Sequence, residues 1–133
     1  MEQNGAIKIL LTAIGTAATY LWGGWDAVLV ALVVLASVDY ATGVAAAWVR
    51  GDLSSRVGRR GIVRKVGMFV VVALCNVIDG TGGLGEPILR TAATWWYLGN
   101  GAVSIVENLA DIGVPVPARV RAALASLKGE ERT

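Results

Sequence analysis

Residues 27–49 read AVLVALVVLASVDYATGVAAAWV, and in these 23 residues the only formal charge is Asp39. The hydrocarbon core of a bilayer is about 30 Å thick and takes about 20 mostly apolar residues as a helix. Ala27–Val49 therefore reads as a membrane-spanning helix. Three further stretches lie on either side of it. Ala6–Trp22 is apolar, with Lys8 close enough to its end to snorkel. Val66–Ile78 is a short apolar centre that spans only if Arg64 and Lys65 reach outward. Ile88–Val106 is the most polar of the four and carries Arg90 near its start.

Composition agrees with this reading. The 133-residue chain is 55% hydrophobic and 17% charged. An average soluble domain is about 45–50% apolar and about 25% charged. A small soluble domain needs a large polar shell, and the residues for one are missing. A soluble monomer, a disordered chain and a large extramembrane domain are excluded. There is no His, and Cys75 is the only cysteine. Disulfide scaffolds and Cys/His zinc sites within one chain are therefore out.

The connections divide the chain in the same way. Gly23-Gly24, between Trp22 and Trp25, makes a tight hairpin. Gly80 to Pro87 is a Gly-rich loop. Arg50 to Lys65 reads as a basic loop broken by Gly51, Gly58 and Gly61. Gly113-Val114-Pro115-Val116-Pro117 ends the fourth helix. Val120, Leu124 and Leu127 then share one face of a short amphipathic segment, flanked by Arg119, Arg121 and Lys128. The expected fold is an all-α membrane protein, one domain over residues 1–133. It has about four transmembrane helices in two hairpins, near 6–22, 27–49, 62–79 and 88–106, and a surface helix near 117–128; a three-span version, with the first or third segment on the surface, is the alternative. Ala6–Trp22 reads as a retained helix. Glu2 stands where a signal peptide is basic, and no small-residue cleavage site precedes the second span.

Lys and Arg near the ends of spans set orientation. The middle loop holds Arg50, Arg56, Arg59, Arg60, Arg64 and Lys65 against Asp52, and the C-terminal tail adds Arg119, Arg121, Lys128 and Arg132. Both termini and the middle loop are expected in the cytoplasm. Trp22 and Trp25 mark the outer interface and Trp48 the inner one. Trp95, Trp96 and Tyr97 fall near the middle of the fourth span and do not fit that belt.

A few polar residues remain as candidates for function. An ionised carboxylate at the bilayer centre costs about 2.5–3.5 kcal/mol on insertion scales. Asp39 therefore needs a partner, a proton or water. Thr42 and Gly43 lie one turn later on its face. They form either a pore-facing polar site or a structural hydrogen bond that fixes helix pairing. On the fourth helix Asn100, Ser104, Glu107 and Asp111 fall at i, i+4, i+7 and i+11, one helical stripe. Gly99 and Gly101 are small enough for another helix to approach closely. The stripe lines an aqueous path in an oligomer, or it is polar glue within one bundle. The latter is the simpler account of the stripe alone. The basic loop is a topology signal in contact with anionic headgroups. No nucleic-acid partner, cofactor, metal site or catalytic constellation is expected, so the chain is not read as an enzyme.

Four elements together resemble a known family. Asp39-Tyr40-Ala41-Thr42-Gly43 resembles the Asp-x-x-Thr-Gly element of the phage lysis and toxin-secretion holins. Leu53-Ser54-Ser55, with Gly58, Gly61-Ile62 and Arg64-Lys65, is similar to the basic Ser/Gly element that follows it. Ser104-Ile105-Val106-Glu107-Asn108 resembles Ser-Ile-x-Glu-Asn, and Gly113–Pro117 resembles the Gly-x-Pro-x-Pro ending. The family often has Asn-Glu ahead of the third element, whereas this chain has Asn100-Gly101.

The resemblance covers about Trp25 to Lys128. It implies a holin that accumulates in the bacterial cytoplasmic membrane, self-associates and opens it during host cell lysis. An endolysin then reaches the wall, or a toxin leaves the cell. An antiholin of the same fold and a small ion channel or transporter are the alternatives.

Overall fold

The computed structural model describes residues 2–83 and 85–129. Five helices follow in order: α1 Glu2–Trp22, α2 Ala27–Arg50, α3 Ser55–Thr81, α4 Ile88–Ile112 and α5 Ala118–Gly129. Arg132 lies outside the described residues, as do the side chains of Leu127 and Lys128.

α4 packs most extensively against α2, and then against α3. Arg90, at the start of α4, meets Asp26 before α2, and Asp111 near its end meets Arg50 at the end of α2. The two helices therefore run parallel over a common length, with α3 returning beside them. Leu32, Val72 and Leu98, one from each helix, form the buried core, and Met68, Phe69 and Tyr97 pack around it. That core is small. Ile9 is 73% exposed and Val63 68%, so most of the apolar surface faces outward. Three of the helices, α1, α2 and α3, are long and apolar enough to cross a membrane. α4 has 25 residues but is not among them, so composition does not establish a fourth span.

The helix ends follow local chemistry. Asp26 caps α2 by accepting from the Leu29 N–H at 2.9 Å. Gly51 ends α2 in the left-handed region at φ 78°. Ser54 caps α3 by accepting from the Val57 N–H at 3.2 Å. α3 therefore begins at Ser55, and Arg56 to Lys65, expected as a loop, form its first three turns. Of the glycines that suggested a break, Gly58 and Gly61 are packing positions. A Cβ on Gly61 would lie 3.2 Å from the Tyr40 ring, and one on Gly58 3.4 Å from its hydroxyl. Glycine at both lets α3 approach α2 closely.

α1 touches α3 through its last turns and is otherwise exposed along its length. The Trp22 indole donates to the Phe69 carbonyl at 2.9 Å, so Trp22 turns inward instead of joining an interfacial belt. Trp25 and Trp48 are exposed. Trp95 and Trp96 also face outward, while Tyr97 packs on the core.

Candidate functional site

Asp39 stands near the middle of α2 and is only 6% exposed. Its Oδ2 takes the Lys65 ammonium from α3. Its Oδ1 accepts from the Ser104 hydroxyl at 2.6 Å and the Asn108 amide at 3.1 Å, both on α4. Asn108 also donates to the Asp39 carbonyl at 3.3 Å and the Thr42 hydroxyl at 3.1 Å. Gly43 sits against Asn108, with 3.5 Å from its Cβ position to the amide nitrogen. Of the three ways to accommodate a carboxylate at this depth, the structure supplies a partner. Three helices thus meet at one side chain, and every buried side-chain N or O among the described residues has a hydrogen bond.

This arrangement divides the expected α4 stripe. Ser104 and Asn108 face Asp39, and Asp111 bonds Arg50 at 2.8 Å. Asn100 and Glu107 are exposed. Gly101 approaches Leu35 of α2 at 4.0 Å, while Gly99 opens onto free space. Lys65 leaves the expected basic loop and becomes the counter-ion of the site. Arg50 is tied to Asp52 and Asp111. Arg56, Arg59, Arg60 and Arg64 are exposed on the first turns of α3.

The sequence offered one clue to Lys65. An intramembrane acid calls for a cation, and Lys65 is the basic residue next to the apolar centre of α3.

A second cluster closes the other end of the bundle. Arg90 is 6% exposed. Its Nε donates to the Trp22 carbonyl at 2.6 Å, and its two terminal nitrogens donate to the Asp26 carboxylate at 2.9 and 3.3 Å. The Arg90 guanidinium holds the Asp26 carboxyl below its usual range, and the Leu29 N–H adds to the effect. Asp79 accepts from the backbone N–H groups of Leu89 and Arg90 at 3.0 and 2.8 Å, filling the start of α4. Asn76 donates to the carbonyls of Tyr20 and Leu21, filling the end of α1. Gly23 has φ +81°, and a Cβ there would lie 2.6 Å from the Asn76 Oδ1. Arg90 had no role legible in the sequence, and Asn76 gave no signal there. Apart from the Arg90–Asp26 pair, the partners in this cluster are backbone groups, which leave no residue pattern.

Among the described residues, no group of His, Cys, Asp and Glu could hold a metal ion. Cys75 is a half-buried free thiol. The fold and its clusters define a small helical protein, with three helices suited to a membrane and its buried polar side chains hydrogen-bonded within the bundle. A sequence model of the bacteriophage holin family matches residues 16–129. The chain belongs to the bacteriophage holin family.

An uncharacterised protein of Halalkalibacterium halodurans is 39% identical over 97% of this chain and 98% of its own length. The uncharacterised protein YqxH of Bacillus subtilis is 39% identical over 98% of this chain and 91% of its own. A probable holin of Bacillus phage phi105 is 42% identical over 65% of this chain and 64% of its own. No solved structure matches the chain.

Proposed function

We propose that the chain is a phage holin that accumulates in the host cytoplasmic membrane, self-associates and permeabilises it for release of an endolysin or toxin. Family membership supports this reading, and the Asp39 cluster carries it. A holin must first sit in the membrane without harming it. Asp39, Lys65, Ser104 and Asn108 satisfy one another within a single chain. A lone subunit therefore keeps these four polar groups turned onto one another and away from lipid. Opening follows when crowded subunits rearrange and these groups face water. Moving one charge through 100 mV is worth about 2.3 kcal/mol, so separating the Asp39 and Lys65 charges at this depth also links opening to membrane energisation.

The reading includes four spans, with both termini and the start of α3 in the cytoplasm. α4 is pinned to α2 at both ends, by Arg90–Asp26 and by Asp111–Arg50. It therefore crosses wherever α2 crosses, with Ser104 and Asn108 turned onto Asp39. The excess of Arg on the first turns of α3 supports the orientation.

Inducible expression in bacteria, followed by optical density with and without a co-expressed cytoplasmic endolysin, tests the function. Abrupt lysis that requires the endolysin is the expected result. Continued growth with the protein confirmed in the membrane would overturn it, and loss of membrane potential without endolysin release would indicate a small channel instead.

A further inference from the structure

Arg56, Arg60 and Arg64 follow one another at i, i+4 and i+8 on α3, a spacing that puts them on one helix face. All three line an open cavity of about 410 Å³ between α2, α3 and α4. Tyr40, Val44 and Val57 give the cavity an apolar wall, and the Asp39 cluster forms its floor. Asp39 is the only carboxylate among the lining residues. Both its oxygens are already taken by Lys65, Ser104 and Asn108. Arg50, also in the lining, is occupied by Asp52 and Asp111. Among the described residues no carboxylate meets Arg56, Arg60 or Arg64. Arg59 lies in the same turns but does not line the cavity.

A topology signal needs cations near the end of a span, and it does not need them to converge. Here three arginines with no carboxylate partner among the described residues line one concave space. We infer that this cavity binds a phosphate group, held by Arg56, Arg60 and Arg64. A guanidinium fork matches the spacing of phosphate oxygens and binds them in pairs. The phosphodiester of an anionic lipid headgroup and free inorganic phosphate share this chemistry. The site stands on the cavity and does not depend on whether the protein opens the membrane.

The test uses the full chain in neutral detergent. Native mass spectrometry follows phosphatidylglycerol and phosphatidylcholine binding, with inorganic phosphate as competitor. R60Q, R64Q and R59Q remove the same charge, and circular dichroism checks that each keeps its helices. R60Q and R64Q should each weaken phosphatidylglycerol binding about tenfold, the loss of one charge-assisted bond. R59Q should change it by about twofold or less, as an exposed charge does. Phosphatidylglycerol that resists millimolar phosphate identifies the lipid as the source. Displacement by phosphate with the same variant pattern identifies the free ion, and either result supports the site. Equal weakening by all three variants would show diffuse attraction and overturn the proposal. Equal binding of the two lipids, without phosphate binding, would also overturn it.

Discussion

The Asp39 and Arg90 clusters each bury one charge, but they bury opposite partners. In the first the acid is hidden, and the Lys65 side chain is 28% exposed. In the second the cation is hidden, and the Asp26 side chain is 51% exposed. Their partners differ as well. Asp39 is held by the side chains of Lys65, Ser104 and Asn108, all in mid-helix. Arg90 and its neighbours Asn76 and Asp79 hold backbone groups at the ends of α1 and α4. The clusters lie about 20 Å apart along α2, at 1.5 Å per residue. Side-chain bonds in mid-helix can be exchanged without unwinding a helix, whereas bonds to backbone ends cannot. The Asp39 cluster can therefore act as a lock, and the Arg90 cluster as a staple.

The largest expected effect is at the lock. K65M leaves Asp39 buried without its cation and should cost about 3–5 kcal/mol, as breaking a buried pair does. Thermal unfolding in detergent measures it. The double variant D39N/K65M should recover much of the loss, because an amide at position 39 still accepts from Ser104. A double variant no more stable than K65M would remove the lock from the account.

R90M should cost less, about 1.5–3 kcal/mol for its charged hydrogen bonds. Asp26 is half-exposed and water can replace part of what it loses. A loss larger than that of K65M would reverse the ranking of the two clusters.

G23A sharpens the staple. It meets a left-handed backbone, worth about 1–2 kcal/mol, and a Cβ position 2.6 Å from Asn76. Cysteine crosslinking between Tyr20 and Val77 should report a loosened α1. An unchanged crosslink yield at equal expression would contradict this.

Acid affects the staple more gently. The folded Asp26 carboxyl titrates below its usual value of about 3.9. Its contribution is fully present above that unfolded value, and it is lost as pH falls through the lower folded one. Unfolding midpoints measured from pH 6 down to about pH 3 should fall less steeply in D26N than in wild type. Identical slopes would mean Asp26 carries no such linkage.

The smallest effect on the single chain is expected from G99L, since Gly99 faces open space. G101L strikes Leu35 and should lower the unfolding midpoint. G99L should leave the midpoint in place and reduce crosslinked oligomers. A normal oligomer ladder for G99L would exclude that face as a contact between copies.

Much of the fold was legible because helices declare themselves locally. The apolar run at 27–49, Gly23-Gly24 and the Gly-rich loop bounded α1, α2 and α4 closely. The start of α3 was not legible, because Gly58 and Gly61 read as breakers until Tyr40 was seen against them. Asp39 and Ser104 stood out, as polar residues in apolar surroundings do, and Asn108 through the resemblance of Ser104–Asn108 to Ser-Ile-x-Glu-Asn. Their convergence did not, since Asp39 lies 65 positions from Ser104 and 69 from Asn108. Periodicity tells which residues share a face, and it does not tell which faces meet. Lys65 was hidden among Arg residues that share its charge but not its position.

In the proposed function the Asp39–Lys65 pair holds the subunit closed until enough copies gather. The most direct test is the time of lysis for K65M, D39N/K65M and wild type, each co-expressed with an endolysin at matched membrane levels. K65M should lyse early, with the double variant returning toward wild-type timing. Unchanged lysis time for K65M at equal protein level would contradict it.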